Sequence, residues 1–462
     1  MPTAVDLIVH SAGQLLTLVA TTPRGVGGAG PHSGQAQSKL GLIADGALAM
    51  AAGRIVAVGT TSEVCASYDA SHTINAAGRV VLPGLIDAHT HPVFAGARQD
   101  EFERRIAGAT YLEIMAAGGG IMSTVRATRA ASVAQLVKGA RPRLARMLAH
   151  GTTTAEAKSG YGLTTAAELN TLRAIGLLND CQPVELVPTF LGAHAVPEEY
   201  AGRADAYVDL VVNEMLPLAA ENAEKEEISG MTSAVFATAP CTHAAVSCGR
   251  ALGGAAVKSP PAQFCDVFCD ESAFDLAQTR RILSAAKALG LGLKVHADEF
   301  AHLGAAGLAA ELGAISADHL LRTSPEEMAA LARAGVVAVL LPGTPFGLGQ
   351  QMYADARAMI AAGVPVALGT DLNPGTCYCE SMPFIRALAC RFMRMTPAEA
   401  IVASTVNAAH AIGRGADLGQ LRPGYTADVV VLDADDYRFL AYRFGTNPVH
   451  TVIKRGQVVY TN

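Results

Sequence analysis

Two histidines one residue apart, His89 and His91, close the apolar run VVLPGLIDAHTH. Side chains alternate between the faces of a strand, so positions i and i+2 project to one side and both imidazoles emerge together at the strand's carboxyl end. A neutral imidazole pair of this kind suits a borderline-soft divalent cation. A third histidine, His296, stands in VHADEF with Glu299 three residues beyond it, Asp318 and His319 end another short apolar run, and Asp371 ends the run PVALGTD. Singly, each reads equally well as a hydrogen-bonded core histidine or a helix-capping aspartate. Together they set metal-type and acid/base groups at the ends of four strands. The chemistry such a set supports is hydrolysis: a divalent ion activates water, and a carboxylate moves the proton. Strand alternation puts His296 and Asp298 on one face and leaves Glu299 at the strand end, free to reach bound water rather than to ligate.

Positioning these groups requires a repeating scaffold. From Val81 onward, short apolar runs alternate with Ala/Leu-rich helical stretches, the pattern of βα units around a parallel sheet. Eight runs are expected as strands: 81–91, 152–158, 184–193, 264–270, 293–300, 314–320, 336–343 and 365–371. Eight is the closing number of a (β/α)8 TIM barrel, whose sites lie at the carboxyl ends of its strands. An open doubly wound sheet would carry a Gly-rich phosphate turn after its first strand, and none is there. The fold class is therefore α/β, a barrel over 81–410. Residues 1–80 and 411–462 contain β-type runs such as LIVH, RIVAVG, DVVVLD and HTVIKRGQVVY. Neither flank can build a core alone, so they are expected to pair into one small β-sandwich.

Two stretches break the pattern. RGVGGAGPHSGQAQS, 24–38, has no apolar period and reads as a mobile loop. Residues 222–263 open with AEKEEIS and end in KSPPAQ, a surface excursion in which Cys241, His243 and Cys248 are expected to have no catalytic role.

Composition narrows the partners. The chain has 462 residues, 50% hydrophobic and 16% charged, with 35 basic and 41 acidic side chains and a net charge of -6. That balance offers no basic stripe for nucleic acid and no polybasic membrane anchor, which leaves a small-molecule substrate. Nine cysteines are scattered without a repeated CxxC, as in a reducing cytosol. The first twenty residues lack Lys and Arg, so no secretory signal is read there, and no apolar run is long enough for a span. A cytoplasmic location is expected.

Several longer motifs are more specific. PGLIDAHTH, RQDEFERRIAGATYLEIMAAGGG from Arg98 to Gly120, AGGGI at 117–121, KSGYGL at 158–163, TFLGAHAVP at 189–197, VHADEF and GTDLNPGT at 369–376 together resemble the imidazolonepropionase family of the amidohydrolase superfamily, over nearly the whole chain. HTH and VHADE are shared across the superfamily; KSGYGL, TFLGAH and AGGGI are not. The resemblance implies metal ligands at His89, His91, His296 and Asp371, a catalytic carboxylate at Glu299, an active-site histidine at His319 and a catalytic part for Asp371. It implies substrate contacts at Arg98, Tyr161, His194, Glu299, Asn373, Gly375 and Thr376. Arg98 would offer a planar fork to a substrate carboxylate. The implied reaction opens the ring of 4-imidazolone-5-propanoate to N-formimidoyl-L-glutamate in histidine degradation, and the implied assembly is a homodimer.

Binuclear barrels of this superfamily use a carboxylated lysine at the end of strand four, where this chain has Cys269, Asp270 and Glu271. One divalent ion per chain is therefore expected, zinc or iron. Lys158 ends strand two and reads as an ion-paired or surface group. Cys377 and Cys379, in CYCES, read as structural, because no adjacent base marks a nucleophile. Two other readings stay open. A different mononuclear amidohydrolase, such as a cyclic-amidine deaminase, would not need Arg98 or Tyr161. A barrel that has lost catalysis and serves as an assembly module would be expected to lack ligands.

Overall fold

The computed structural model describes residues 1–22, 25–26, 30–109, 113, 117–221 and 261–462. Every expected barrel run forms a strand: Leu85–Asp87 (β1), Thr152–Lys158 (β2), Glu185–Ala193 (β3), Phe264–Cys269 (β4), Gly292–Ala297 (β5), Ser316–His319 (β6), Val337–Leu340 (β7) and Val366–Leu368 (β8). Each pairs in parallel with the next, β1 through β8. The seam between β8 and β1 closes just beyond the strands. There Thr90 bridges Leu372, Asp371 N–H donates to His89 C=O at 3.0 Å, and His91 N–H donates to Leu372 C=O at 2.9 Å. The backbone that shuts the barrel is thus the backbone that carries His89, His91 and Asp371.

Period-two alternation sorts the strand residues into two sets. Outward positions such as Leu85, Ala155, Ala157, Val267, Val295, Ala317, Leu340 and Leu368 pack under the surrounding helices. Three of those helices, 133–149, 276–288 and 325–334, start at reciprocal caps, Ser132 with Gln135, Asp275 with Gln278 and Ser324 with Glu327. Inward positions form layers. The lower layers are apolar, built from Ile86, Val187, Phe264, Val337, Val339 and Ala367 and plugged by Ala408, Ala411 and Ile412. Above them the interior turns polar, with Glu156, Lys158, Asp266, Lys294, His296 and Asp318 all buried.

Both flanks contribute to a second, eight-stranded sheet. Its order is 457–461, 449–454, 429–432, 80–83, 3–16, 42–51 and 54–60, with 68–75 also pairing along 3–16. Leu7, Val9, Leu15, Leu48, Met50, Val81, Val429, Val431 and Ile453 form its core, the small sandwich beside the barrel.

Three expectations need correction. VVLPGLIDAHTH is two strands rather than one. Val80–Pro83 pairs with 3–16 and 429–432 in the terminal sheet, and only Leu85–Asp87 belongs to the barrel. Gly84 makes the transfer, at a point where a Cβ would lie 2.3 Å from Thr153 Oγ1. VHADEF leaves the strand at Ala297, because Asp298 takes φ +53° and turns the chain. The 24–38 stretch is not a free loop throughout. Gly34–Ser38 forms a 3-10 turn, the Gln37 side chain exchanges two hydrogen bonds with the Val366 backbone, and the Asn407 side chain exchanges two with the His32 backbone. Residues 222–260, including Cys241, His243 and Cys248, lie outside the described residues. No described helix is long and apolar enough to cross a membrane.

Candidate active site

Asp371 draws the first strand's histidines together. His89 Nε2 and His91 Nε2 each lie 3.5 Å from Asp371 Oδ1, and the His296 ring stands 4.5 Å from that of His89 and 5.6 Å from that of His91. Ligand atoms of His89, His91 and Asp371 lie within 4.8 Å of one another, as do those of His89, His296 and His319 and those of His91, His194 and His296. All these side chains but His194 are buried, and His89 Nε2, His91 Nδ1, His319 Nδ1 and both ring nitrogens of His296 have no hydrogen-bond partner among the described residues. Buried polar nitrogens left unpaired are costly unless something accepts their lone pairs. Burial holds His89 and His91 well below the usual imidazole range, in the neutral form that ligates. A divalent cation fits this donor set of imidazoles and one carboxylate. Asp371 is pushed up to about 6 by burial and accepts a hydrogen bond from Thr344 Oγ1 at 2.5 Å.

Glu299 stands beside the cage, with Oε1 3.6 Å from His319 Nδ1. Burial, with Asp371 and Asp270 nearby, pushes its carboxyl well above the carboxylate range, while burial holds His319 neutral. Asp298 does not share the His296 face. Its two oxygens accept from Ala305 N–H at 3.3 Å and Thr323 Oγ1 at 3.1 Å, turned toward the following helix. Strained backbone gathers at this rim: His319 and Asp371 both have positive φ, +75° and +52°.

The remaining expected residues fall into two groups, one against His91 and one in the loop after Asp371. His194 stacks on His91 with ring centres 5.1 Å apart, and Tyr161 packs 5.3 Å from His194 and 5.8 Å from His91. Gly160 makes this contact: it adopts φ +107°, its carbonyl meets His194 Nδ1 at 3.0 Å, and a Cβ there would press on that nitrogen. Arg98 donates from Nε and Nη2 to Glu101 Oε2, at 2.9 and 2.7 Å. Gly375 lies so close that a Cβ would fall 2.1 Å from Arg98 Nη1. Asn373 shapes this loop by accepting from Gly375 N–H and Thr376 N–H, both at 2.8 Å. Cys377 is buried, and its thiol is pushed up by its hydrogen bond with Cys379 and by burial, which suits a structural group.

Comparison with known proteins shows the family. The amidohydrolase family model matches residues 80–459. Imidazolonepropionase of Chloroflexus aggregans is 52% identical over 457 residues, 99% of each chain, and that of Herpetosiphon aurantiacus is 49% identical over 462 residues, 100% of this chain and 99% of the relative. The chain belongs to the imidazolonepropionase family of amidohydrolases. Among solved structures this amidohydrolase resembles an adenosine deaminase from Xanthomonas campestris with bound zinc (TM-score 0.66, 18% identity, covering 100% of this chain and 94% of that one). It also resembles guanine deaminase of E. coli (TM-score 0.67, 13% identity, 98% and 99%). At those identities the likeness is one of fold.

Sequence reasoning missed the residues that hold the amidohydrolase site in place. Of its two readings, ion-paired or surface, Lys158 takes the first, and what was missed is its burial: it has no solvent exposure, with Nζ 2.9 Å from Glu156 Oε1 and 2.6 Å from Asp266 Oδ2. Glu101 ties Arg98 to Gly120 N–H and Ser123 Oγ, both at 3.1 Å. Glu168 accepts from the backbone N–H groups of Gly160, Gly162 and Leu163 at 2.9, 2.7 and 2.7 Å and so builds the KSGYGL turn. The period-two pairs Glu156/Lys158 and Lys294/His296 carried a signal for the first group, since a charge in step with a ligand on one strand must face the barrel interior. Glu101 and Glu168 act on loop backbone and left no comparable pattern.

Proposed function

We propose that this chain hydrolyses the ring amide C–N bond of 4-imidazolone-5-propanoate to give N-formimidoyl-L-glutamate, a step of histidine degradation. The observation that carries the reading is the His/Asp cage with the buried Glu299–His319 pair beside it, together with Arg98 packed against Gly375 in the loop that follows Asp371. His89, His91, His296 and Asp371 would hold one divalent ion, zinc or iron. Such an ion, when bound, lowers the pKa of a water toward about 7 and polarises a carbonyl.

The chain's own groups supply the rest. Glu299 takes the proton from the attacking water and returns it to the departing ring nitrogen, and its raised affinity for a proton suits the second half of that task. His319, neutral and adjacent, donates a hydrogen bond to the oxygen on which charge develops. Arg98 receives the propionate carboxylate on its Nη1–Nη2 edge, because Glu101 occupies the Nε–Nη2 edge. Tyr161 and His194 wall the ring, and Asn373, Gly375 and Thr376 form the loop over it.

The test is a direct assay of the purified protein on imidazolonepropionate and on purine and pyrimidine bases. Ring opening consumes water and releases no ammonia; deamination of the bases with no turnover of imidazolonepropionate would remove this reading. Elemental analysis of protein purified without added metal is expected to give one ion per chain, and a reproducible two at full activity would reject the mononuclear site. A homodimer in the cytoplasm completes the proposal, and sedimentation of the purified protein at twice the chain mass is the expected result.

A further inference from the structure

Beneath the histidine cage lies a layer of charge that the reaction does not use. Lys158, Glu156, Asp266, Lys294 and Asp318 have no solvent exposure. Lys158 occupies its centre, with Nζ 2.6 Å from Asp266 Oδ2, 2.9 Å from Glu156 Oε1 and 3.6 Å from Asp318 Oδ2. Two of these carboxylates each face a proposed ligand. Asp318 Oδ2 accepts from His89 Nδ1 at 2.6 Å, and Asp266 Oδ2 stands 3.0 Å from His296 Nδ1 while Asp266 Oδ1 accepts from the His296 backbone N–H at 3.2 Å. Among the described residues His89 Nε2 and both ring nitrogens of His296 have no hydrogen-bond partner, so Asp266 meets the His296 ring through the 3.0 Å contact at Nδ1 and holds the residue by its hydrogen bond to the backbone N–H.

We infer that Lys158 is a positioning residue for the metal cage: one buried ammonium fixes the two carboxylates that orient His89 and His296. Carboxylates behind ligating histidines set ring orientation and are worth roughly 10- to 100-fold in metal affinity. In this protein a single cation serves two of them. Stability alone does not account for the arrangement, because buried ion pairs are commonly matched or bettered by apolar side chains of similar shape. The barrel's lower layers, filled by Val187, Val337 and Val339, show that its interior accepts such side chains. Lys294 is the internal comparison. It is equally buried, but it bonds the Ala411 carbonyl at 3.1 Å, stands 3.4 Å from Glu156 and comes no nearer than 4.0 Å to Asp318.

The inference rests on the metal-site reading above, and its test separates the two. Wild type, Lys158→Gln and Lys294→Met would be loaded with Zn²⁺ and challenged with a chelator, and the cobalt-substituted forms compared by their visible absorption. Thermal unfolding of the metal-free proteins serves as the stability readout. Lys158→Gln is expected to bind zinc 10- to 100-fold more weakly and to shift the cobalt bands. Lys294→Met is expected to lower thermal stability while keeping zinc affinity within about threefold of wild type, since it touches neither carboxylate within hydrogen-bond reach. If Lys158→Gln does not fold, Lys158→Met combined with Glu156→Gln removes one charge of each sign and leaves Asp266 and Asp318 in place; the same weakening is expected. Wild-type zinc affinity in either Lys158 variant, or an equal loss in Lys294→Met, overturns the inference while leaving the metal site standing. A wild-type protein that binds no divalent ion overturns both.

Discussion

Glu299 and His296 sit three positions apart and are assigned different tasks, and a single substitution separates them. Glu299→Gln keeps the size and hydrogen bonding of the side chain but cannot carry a proton. Metal content is expected to stay at the wild-type value while kcat falls by about 10²-fold or more, read by elemental analysis beside steady-state kinetics. Loss of the ion in that variant would move Glu299 into the ligand set. Arg98→Lys probes the other end of the substrate. Lysine keeps the charge and loses the guanidinium edge that does not bond Glu101. Forgoing a charge-assisted pair of hydrogen bonds is worth about 1.5 to 3 kcal/mol, so kcat/KM on imidazolonepropionate is expected to drop roughly 10- to 100-fold with the metal retained. Unchanged kinetics would mean that Arg98 does not meet the substrate. That His89, His91, His296 and Asp371 come together was legible, because all four are residue types that hold metals and all stand at or just beyond the carboxyl ends of strands. Lys158 was legible as an ion-paired group, but its partner Asp266 was not, because nothing in one strand's sequence says which side chain of another strand lies across the barrel from it.

At the scale of elements, all eight barrel strands were legible from alternation and from the helical stretches between them. What escaped was the point at which each strand stops. Asp298, His319 and Asp371 adopt positive φ at the ends of β5, β6 and the β8 run, and alternation fails as soon as one residue does so. That is why Asp298 faces the next helix rather than the site. The loops follow different rules, being held by single buried carboxylates. Gly160 tests one of them. At φ +107° an alanine is strained, and its methyl would press on His194 Nδ1 and Leu191. Gly160→Ala is expected to lose about 1 to 3 kcal/mol of stability, read from denaturant midpoints, and to raise KM through displacement of His194, with the metal content unaltered. A variant with wild-type KM would show that the stacking of His194 on His91 does not depend on this turn.

For the molecule as a whole, the sheet built from both flanks is fastened to the barrel floor by charge. Glu185, at the start of β3, meets Arg414, Lys454 and Arg455, and Lys454 in turn meets Asp428 at 2.6 Å. Lys454 and the arginines hold Glu185 at about 2, below its usual 4.5, although burial opposes them. Between those two values the unfolded chain binds more protons than the folded one, so the stabilisation is complete above pH 4.5 and is lost as pH falls through about 2. The shift corresponds to about 3 kcal/mol for this largely buried group. Glu185→Gln is therefore expected to be destabilised by up to about that amount at neutral pH, with the gap to wild type narrowing as the medium is acidified, in denaturation curves taken across pH. A gap that does not change with pH would assign the loss to packing. Pairing of the flanks was legible from their β-type runs, but this clamp was not, since its members lie far apart along the chain.

The handover at Gly84 has a consequence for how the protein is made. Val80–Pro83 pairs with Val429–Leu432, Gly84 N–H donates to Asp428 C=O at 2.9 Å, and Ile86 N–H donates to Ser404 C=O at 2.9 Å. The strand bearing the first two histidines is thus seated by residues that a ribosome adds long after the last proposed ligand, Asp371. A nascent chain halted after Ala411 holds His89, His91, His296 and Asp371 yet lacks the strand against which Val80–Pro83, the segment leading into the first pair, is registered. Such a chain is expected to exchange its ion freely, and release of the longer chain to trap it. Retention of a radioactive zinc tracer against chelator, counted on halted and released chains, would read the difference, and equal retention would mean that the barrel seats its first strand unaided.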